Sequence, residues 1–537
     1  MRHPAVYLIG AGPGDPGLIT VHGLNHLRTA DVVVYDHLVP TRLLRYARQG
    51  AELIDVGTAS PQAMEQEAIS YLLVEKARDG KLVARLKWGD PFVFDRGGEE
   101  ALFLHEHGVP FEVVPGVVAG LAVAAYAGVP VTYPGGGDTI TLVRGFEDES
   151  RTVPDIDWAS VARLEGTVVC YAGSQQLPRI LAALMGNGWP PDSTAVIVYN
   201  GTLPSQETVS GTMRALLEGV RENPRREAAI LVAGRVAGLR DHLRWYDTRP
   251  LFGKRVLVTR PREQAPELVD LLTALGAESI EAPMIRMAPP EDPDPLLRAA
   301  AKPEVFDWIV FTSANAVEAF MTALLDGERD VRALKGPRLC VSGTATADKL
   351  TAYGIKVDLI PNEFRADAVV AALLATGSMD GVRVLLPRAD IGREVIADQL
   401  REAGAAVTEV VAYRTILEDS QREGDPDIYG MLLEGRIDVV TFTSPSAVRN
   451  FAKIYGADQV ADLLKNTVVA TIGPVTADAA RQLAIPVTIQ PATYTIPALV
   501  GAIAAHYASA KSTKTNLNHE GHETHDESKT RRKSITS

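Results

Sequence analysis

The chain has 537 residues, 46% of them hydrophobic and 23% charged, with a formal net charge of −13. Its length predicts three or four domains, and its acidic balance argues against nucleic acid or an anionic membrane as partner. No apolar run approaches the roughly 18 residues of a membrane span. The opening "MRHPAVYLIG" lacks a signal-peptide pattern, and Cys170 and Cys340 sit apart in apolar strand-like contexts, so a cytoplasmic protein with reduced thiols is expected.

Strand and helix patterns alternate almost throughout, predicting α/β architecture with largely parallel sheets. The first strand, "AVYLIG", runs into "AGPGDPG". A dinucleotide fingerprint needs G-x-G-x-x-G, but Asp15 stands at the third glycine position and Pro13 lacks an N–H to offer a pyrophosphate. The second strand, "DVVVYD", ends in Asp36 at a spacing that still permits a ribose-binding carboxylate. "AELIDVG" and "KLVARL" follow as strands, with the amphipathic "MEQEAISYLLVEKARDG" between them. A Pro/Gly-marked break at "TYPGGGDT" (132–139) predicts a subdomain boundary. Beyond it come strands at "TITLV", "GTVVCYAG", "TAVIVYNG" and "AAILVAG", and Arg249–Gly253 reads as a linker.

Past the linker the chain repeats itself. "RVLVTRP" from Arg255 matches "RVLLPRA" from Arg383 at an offset of 128, and "LGAESIEA" matches "AGAAVTEV" at the same offset. "FDWIVFTSANAVEAF" matches "IDVVTFTSPSAVRNF" at 131, and "CVSGTATAD" matches "ATIGPVTAD" at 130. Two similar α/β units are expected across 251–508. From about Ser509 the composition turns polar and aperiodic, predicting a disordered tail; its His519, His522 and His525 are read as solvated, and no metal is expected.

"VYLIGAGPGDPGLIT", "ADVVVYDHLV", "GDPFVFDRGGEE", "FEVVPGV" and "AAYAGVPVT" give residues 4–246 a resemblance to the tetrapyrrole methyltransferases, most closely uroporphyrinogen-III C-methyltransferase. The resemblance implies two α/β subdomains, S-adenosylmethionine between them, and a homodimer. Carried over by position, Pro13, Gly89, Asp90, Val93, Ala119 and Gly201 are cofactor-binding, and Asp36 accepts the proton that the methylated pyrrole sheds. Five positions depart from the family pattern. Thr58 stands for a proton-donating lysine, Trp88 for a glycine where the ligand comes close, Val118 for a threonine and Ala172 for a methionine; "TYP" (132–134) replaces "THR". Trp88 is expected to occupy cofactor space unless its ring turns away.

The doubled region resembles uroporphyrinogen-III synthase through "GKRVLVTRP", "DWIVFTSANAV", "RVLLPRA", "VVAYRT", "VTFTSPSAV", "ATIGPVTADAA" and "YTIPALV". The fold expected is therefore a two-subdomain tetrapyrrole methylase (1–248; subdomains about 1–134 and 135–248) and two flavodoxin-like units (254–508). Ser/Thr residues recur where strands meet helices, and helix N-termini with hydroxyl donors can bind carboxylates without much fixed charge. The resemblance places Thr346, Ser444, Ser446 and Thr476 on the substrate, and makes Tyr413 the donor that protonates a departing hydroxyl. An N-cap role for each Ser or Thr, and a hinge-bridging role for Tyr413, stay open. Arg260 and Arg388 recur after equivalent strands, either to pair substrate carboxylates or as salt-bridged surface groups.

The leading reading is a bifunctional enzyme of siroheme, cobalamin and heme precursor synthesis. Its C-terminal half would close hydroxymethylbilane to uroporphyrinogen III without a cofactor, and its N-terminal half would methylate that product to precorrin-2. One alternative leaves the N-terminal half as a scaffold or regulator; another makes the doubled region a non-catalytic ligand-binding module.

Overall fold

In the computed structural model the described residues are 5–509 apart from 49, 58–63, 137, 146–154, 226, 328, 362–365, 391–394 and 418–425. Thr58, the three tail histidines and the tail from 510 onward lie outside them. The chain divides into two compact units. One holds residues up to Val256 with Asp270–Ser279 and the C-terminal stretch from Ile503; the other holds Leu257–Val269 with Ile280–Ala502. No described helix is long and apolar enough to cross a membrane.

The N-terminal unit opens on a parallel sheet of β1 (Val6–Gly10), β2 (Val32–Tyr35), β3 (Glu52–Asp55), β4 (Val83–Lys87) and β5 (Phe111–Val114), ordered β3-β2-β4-β1-β5. β1 and β4 are buried along their whole length, as strands covered on both faces must be. The loops leaving β1, β4 and β5 meet backbone to backbone: a Cβ on Gly116 would lie 2.1 Å from the Gly89 carbonyl oxygen, so no side chain fits there. Asp15 caps a short turn over Pro16–Leu18, and the next helix, Val21–Thr29, starts only after Thr20 caps it. No helix N-terminus therefore opens directly off the glycine loop.

A second sheet holds β6 (Ile140–Arg144), β7 (Thr167–Gly173), β8 (Thr194–Tyr199), β9 (Glu207–Thr212) and β10 (Ala228–Ala233), ordered β6-β7-β10-β8-β9. Only β6 and β7 run parallel; the other three pairings are antiparallel. The expectation of largely parallel sheets, which the first sheet meets, does not hold for this one. The link from β8 to β9 is a short loop without a crossover helix, which can return a strand only antiparallel. The helix Ala119–Tyr126 precedes the predicted break at 132–139, yet its Ala119, Val123 and Ala124 share a core with Val169, Tyr171, Val196 and Ile230 of the second sheet. Leu251, inside the predicted linker, is fully buried.

The C-terminal half of the chain contains β11 (Arg255–Val258), β12 (Glu278–Glu281), β13 (Ile285–Ala288), β14 (Trp308–Phe311), β15 (Arg338–Val341), β16 (Arg383–Ala389), β17 (Ala406–Leu417), β18 (Val439–Phe442) and β19 (Val468–Thr471). They form two sheets, β12-β11-β18-β19 and β13-β17-β16-β14-β15. Neither sheet is one copy of the repeat. Each joins the first two strands of one copy to the last two of the other, so the copies exchange halves. Single bridges from Cys340 to Leu359 and from Ala470 to Ile489 extend both sheets to the same 2-1-3-4-5 order, the flavodoxin-like arrangement. Matching cores form around Phe311 and Phe320 in one sheet and Phe442 and Phe451 in the other.

Candidate functional site

In the N-terminal unit, β4 carries Arg85 and Lys87 two residues apart, hence on one face of a strand with no solvent side. Burying two cations is costly unless carboxylates meet them. Glu100, on the helix Gly97–Glu106, is fully buried and lies 3.0 Å from Arg85 Nη2 and 2.9 Å from Lys87 Nζ. Asp36, just past β2, lies 2.6 Å from Arg85 and 3.7 Å from Lys87, and Asp95 is 2.9 Å from Lys87. Burial pushes the Glu100 carboxyl up, but Arg85 and Lys87 outweigh it and bring it to about 2. Burial raises Asp95 above the usual carboxylate range, and the neighbouring Asp36 charge adds to the rise. Asp36 is the most exposed member of the five, with 27% of its side chain accessible.

Beside this network the loops are tied to one another. Asp90 accepts from its own loop at the Phe92 amide (2.8 Å) and from the Gly116 amide (3.0 Å). Trp88 Nε1 donates to the Pro13 carbonyl at 2.8 Å, and the indole stands edge-on to Tyr171. Gly120 N–H donates to the Tyr171 hydroxyl, so a phenol from the second sheet caps the helix that Ala119 begins. Gly201 lies between Asn200 (φ +48°) and Thr202 (φ +68°). For a β-branched residue that backbone is costly. It is held by Gln206 accepting from the Thr202 amide, by Asp15 N–H donating to the Thr202 hydroxyl, and by Tyr246 donating to its carbonyl. Val93 is half-buried, Val118 precedes the helix at its N-cap, and Ala172 points into the opposite core from Tyr171.

In the C-terminal unit, Ser313 and Ser444 occupy equivalent N-caps, accepting from the amides of Ala316 and Ala447. Ser446 Oγ lies 3.0 Å from Ser444 Oγ, and Tyr413 on β17 shares a hydrogen bond with Ser313 at 3.2 Å. Thr346 and Thr476 stand in the first turns of the helices Thr344–Ala352 and Pro474–Gln482, and both are buried. The two repeated arginines have diverged. Arg388 Nε lies 2.7 Å from Glu409 in an ion pair, off the line of a good hydrogen bond. Arg260 Nε is buried without a hydrogen-bond partner, its Nη2 reaches Gln264 only at 3.4 Å, and burial lowers its pKa.

Residues 5–217 match the family described as Tetrapyrrole (Corrin/Porphyrin) Methylases, and residues 266–501 match Uroporphyrinogen-III synthase HemD. The chain is 35% identical over 486 residues to the "Porphyrin biosynthesis protein HemD" of Ruminiclostridium josui, covering 90% of this chain and 94% of that one. It is a fusion of a tetrapyrrole methylase with a uroporphyrinogen-III synthase. It is also 35% identical to the "Uroporphyrinogen-III C-methyltransferase" of Bacillus subtilis over 71% of this chain and 78% of that one. A crystal structure of uroporphyrin-III C-methyl transferase from Thermus thermophilus is 38% identical, covers 44% of this chain and 99% of its own, and superposes with a TM-score of 0.38. The protein is a bifunctional enzyme of tetrapyrrole biosynthesis.

Within the methylase half, the structure brings Pro13, Gly89, Asp90 and Ala119 into one set of tied loops and places Asp36 in the charge network next to them. Sequence reading missed Arg85, Lys87, Glu100 and Asp95. The signal was present: two cations at strand spacing inside "KLVARLKW", followed by the carboxylates of "FDRGGEE". Within the synthase half, Ser444 takes the N-cap role that the sequence left open for it. Ser313, read only as part of a motif, is Tyr413's partner.

Proposed function

We propose that the synthase half closes hydroxymethylbilane to uroporphyrinogen III with inversion of the last ring, and that the methylase half converts that product to precorrin-2. In this reading the halves are residues 1–248 and 254–508, and the methylase half forms a homodimer, which light scattering would test. Asp36 carries the methylase assignment: it is the most exposed carboxylate of a network whose Arg85, Lys87 and Glu100 are buried. The loop set suits S-adenosylmethionine, since its residues are small or neutral and Gly89 (φ +69°) brings bare backbone beside Ala119. Pro13, Gly89, Asp90, Val93, Ala119 and Gly201 would hold it; when bound it supplies an electrophilic sulfonium methyl. Asp36 then accepts the proton shed by the methylated ring carbon, with Arg85 and Lys87 fixing its orientation.

In the synthase half, Tyr413 and its Ser313 partner protonate the departing hydroxyl, which leaves as water. Thr346, Ser444, Ser446 and Thr476 offer donors to the substrate carboxylates, and Arg260 supplies an uncommitted charge. Incubation with fresh hydroxymethylbilane and methyl-labelled S-adenosylmethionine tests the whole reading. Labelled type III product supports both halves. Unlabelled type III removes the methyl-transfer assignment, and type I isomer alone removes the synthase assignment.

A further inference from the structure

On the helix Val21–Thr29, beside its buried Gly23 and Leu27, His22 and His26 stand one turn apart. Glu112, on β5, reaches the same point from the sheet. His22 Nε2 lies 2.7 Å from Glu112 Oε1 and 3.3 Å from His26 Nε2, and the three ligand atoms fall within 4.8 Å of one another. The scaffold is rigid. Tyr7 and Glu112 are direct partners in the β1–β5 ladder, so their side chains share a face, and the His26 ring stacks on Tyr7 with centroids 3.7 Å apart.

Protons do not satisfy this cluster. A neutral imidazole nitrogen carries either one hydrogen or one lone pair. If His22 Nε2 donates to Glu112, it has nothing to offer His26; if it accepts from His26, it faces a carboxylate with no donor. A cation at the centre would engage all three lone pairs together. One edge already agrees: zinc–nitrogen bonds of about 2.0–2.1 Å give tetrahedral edges of about 3.3 Å, the His22–His26 separation, while the 2.7 Å His22–Glu112 edge has to widen by about 0.6 Å when a metal replaces its hydrogen bond. His22 and Glu112 are 57% and 39% exposed at their side chains, which leaves solvent access and room for a fourth ligand.

We propose that His22, His26 and Glu112 form a site for a borderline divalent cation, zinc or cobalt(II), that fastens the first helix to edge strand β5. Two imidazoles and a carboxylate are the donor set such ions prefer over magnesium or calcium. The site is separate from the methylase and synthase machinery.

The test is direct metal titration of the full chain after chelator treatment, using zinc against a chromophoric competitor and cobalt(II) by its visible absorption. Because His519, His522 and His525 could also bind, three proteins are compared: wild type, H22N/H26N, and H519N/H522N/H525N. The proposal expects one fewer tight site in H22N/H26N, the same site retained in the tail variant, and a higher unfolding temperature with zinc in every protein that keeps it. E112Q, a change at a partly exposed position, should weaken binding at least tenfold without unfolding the protein. Equal stoichiometry in wild type and H22N/H26N, or no tight site in wild type, overturns it.

Discussion

Replacing Glu100 by glutamine would remove one charge from the buried network while keeping its size. Glu100 Oε1 accepts from Arg85, Lys87 and Gln66 within 3.0 Å. Its carboxyl falls from 4.5 to about 2 on folding, and at 1.36 kcal/mol per unit that is about 3 kcal/mol of stability at neutral pH. An independent route agrees, since leaving buried cations short of a partner costs roughly 3–5 kcal/mol. The folded value is the lower one, so the contribution is complete above the unfolded value and is lost as pH falls toward the folded value. Urea unfolding is the assay, followed by tryptophan fluorescence, because four of the five tryptophans (88, 158, 189 and 245) lie in the N-terminal unit. E100Q should be about 3 kcal/mol less stable at pH 7, with the gap falling by roughly half by about pH 3. A gap below about 1 kcal/mol, or one that does not change with pH, would mean that the buried cations do not hold Glu100 ionised.

Four further predictions concern the sites. Trp88→Phe removes the hydrogen bond to Pro13, worth about 0.5–1.5 kcal/mol; it should weaken S-adenosylhomocysteine binding several-fold by calorimetry and leave synthase turnover unchanged. Tyr413→Phe should lower synthase kcat by about a hundredfold with little change in KM, the pattern of a lost proton donor. Arg260→Met should raise KM for hydroxymethylbilane about tenfold or more, since a hydrogen bond to a charged group is worth about 1.5–3 kcal/mol. Arg388→Met, which breaks the Glu409 pair, should instead reduce stability and leave KM alone.

Much of this architecture could be read from the chain, and the gaps have physical causes. The repeat near 130 residues revealed two similar units because matching strands and caps leave matching strings. It did not reveal that the copies trade halves, because a parallel pairing such as β14 with β16 leaves no local mark. β9 was missed: "ETVSGT" is an edge strand, mostly exposed, without an apolar run. Family position singles out Asp36 but not its charged setting, because Glu100 is distant in sequence and meets β4 only after the helix Gly97–Glu106 docks. The Trp88 N–H fastens the Pro13 loop, a contact between loops that no spacing in the sequence announces. The histidine pair escaped notice because its third member, Glu112, lies 90 residues from His22.

In the proposed function one chain carries two separable chemistries, with Asp36 serving one and Tyr413 the other. The most direct measurement feeds hydroxymethylbilane and methyl-labelled S-adenosylmethionine to Asp36→Asn and Tyr413→Phe, and separates products by isomer and label. The account predicts that D36N accumulates unlabelled type III uroporphyrinogen. It predicts that Y413F makes labelled product only when uroporphyrinogen III is supplied ready-made. Full methylation by D36N, or normal closure by Y413F, would contradict it.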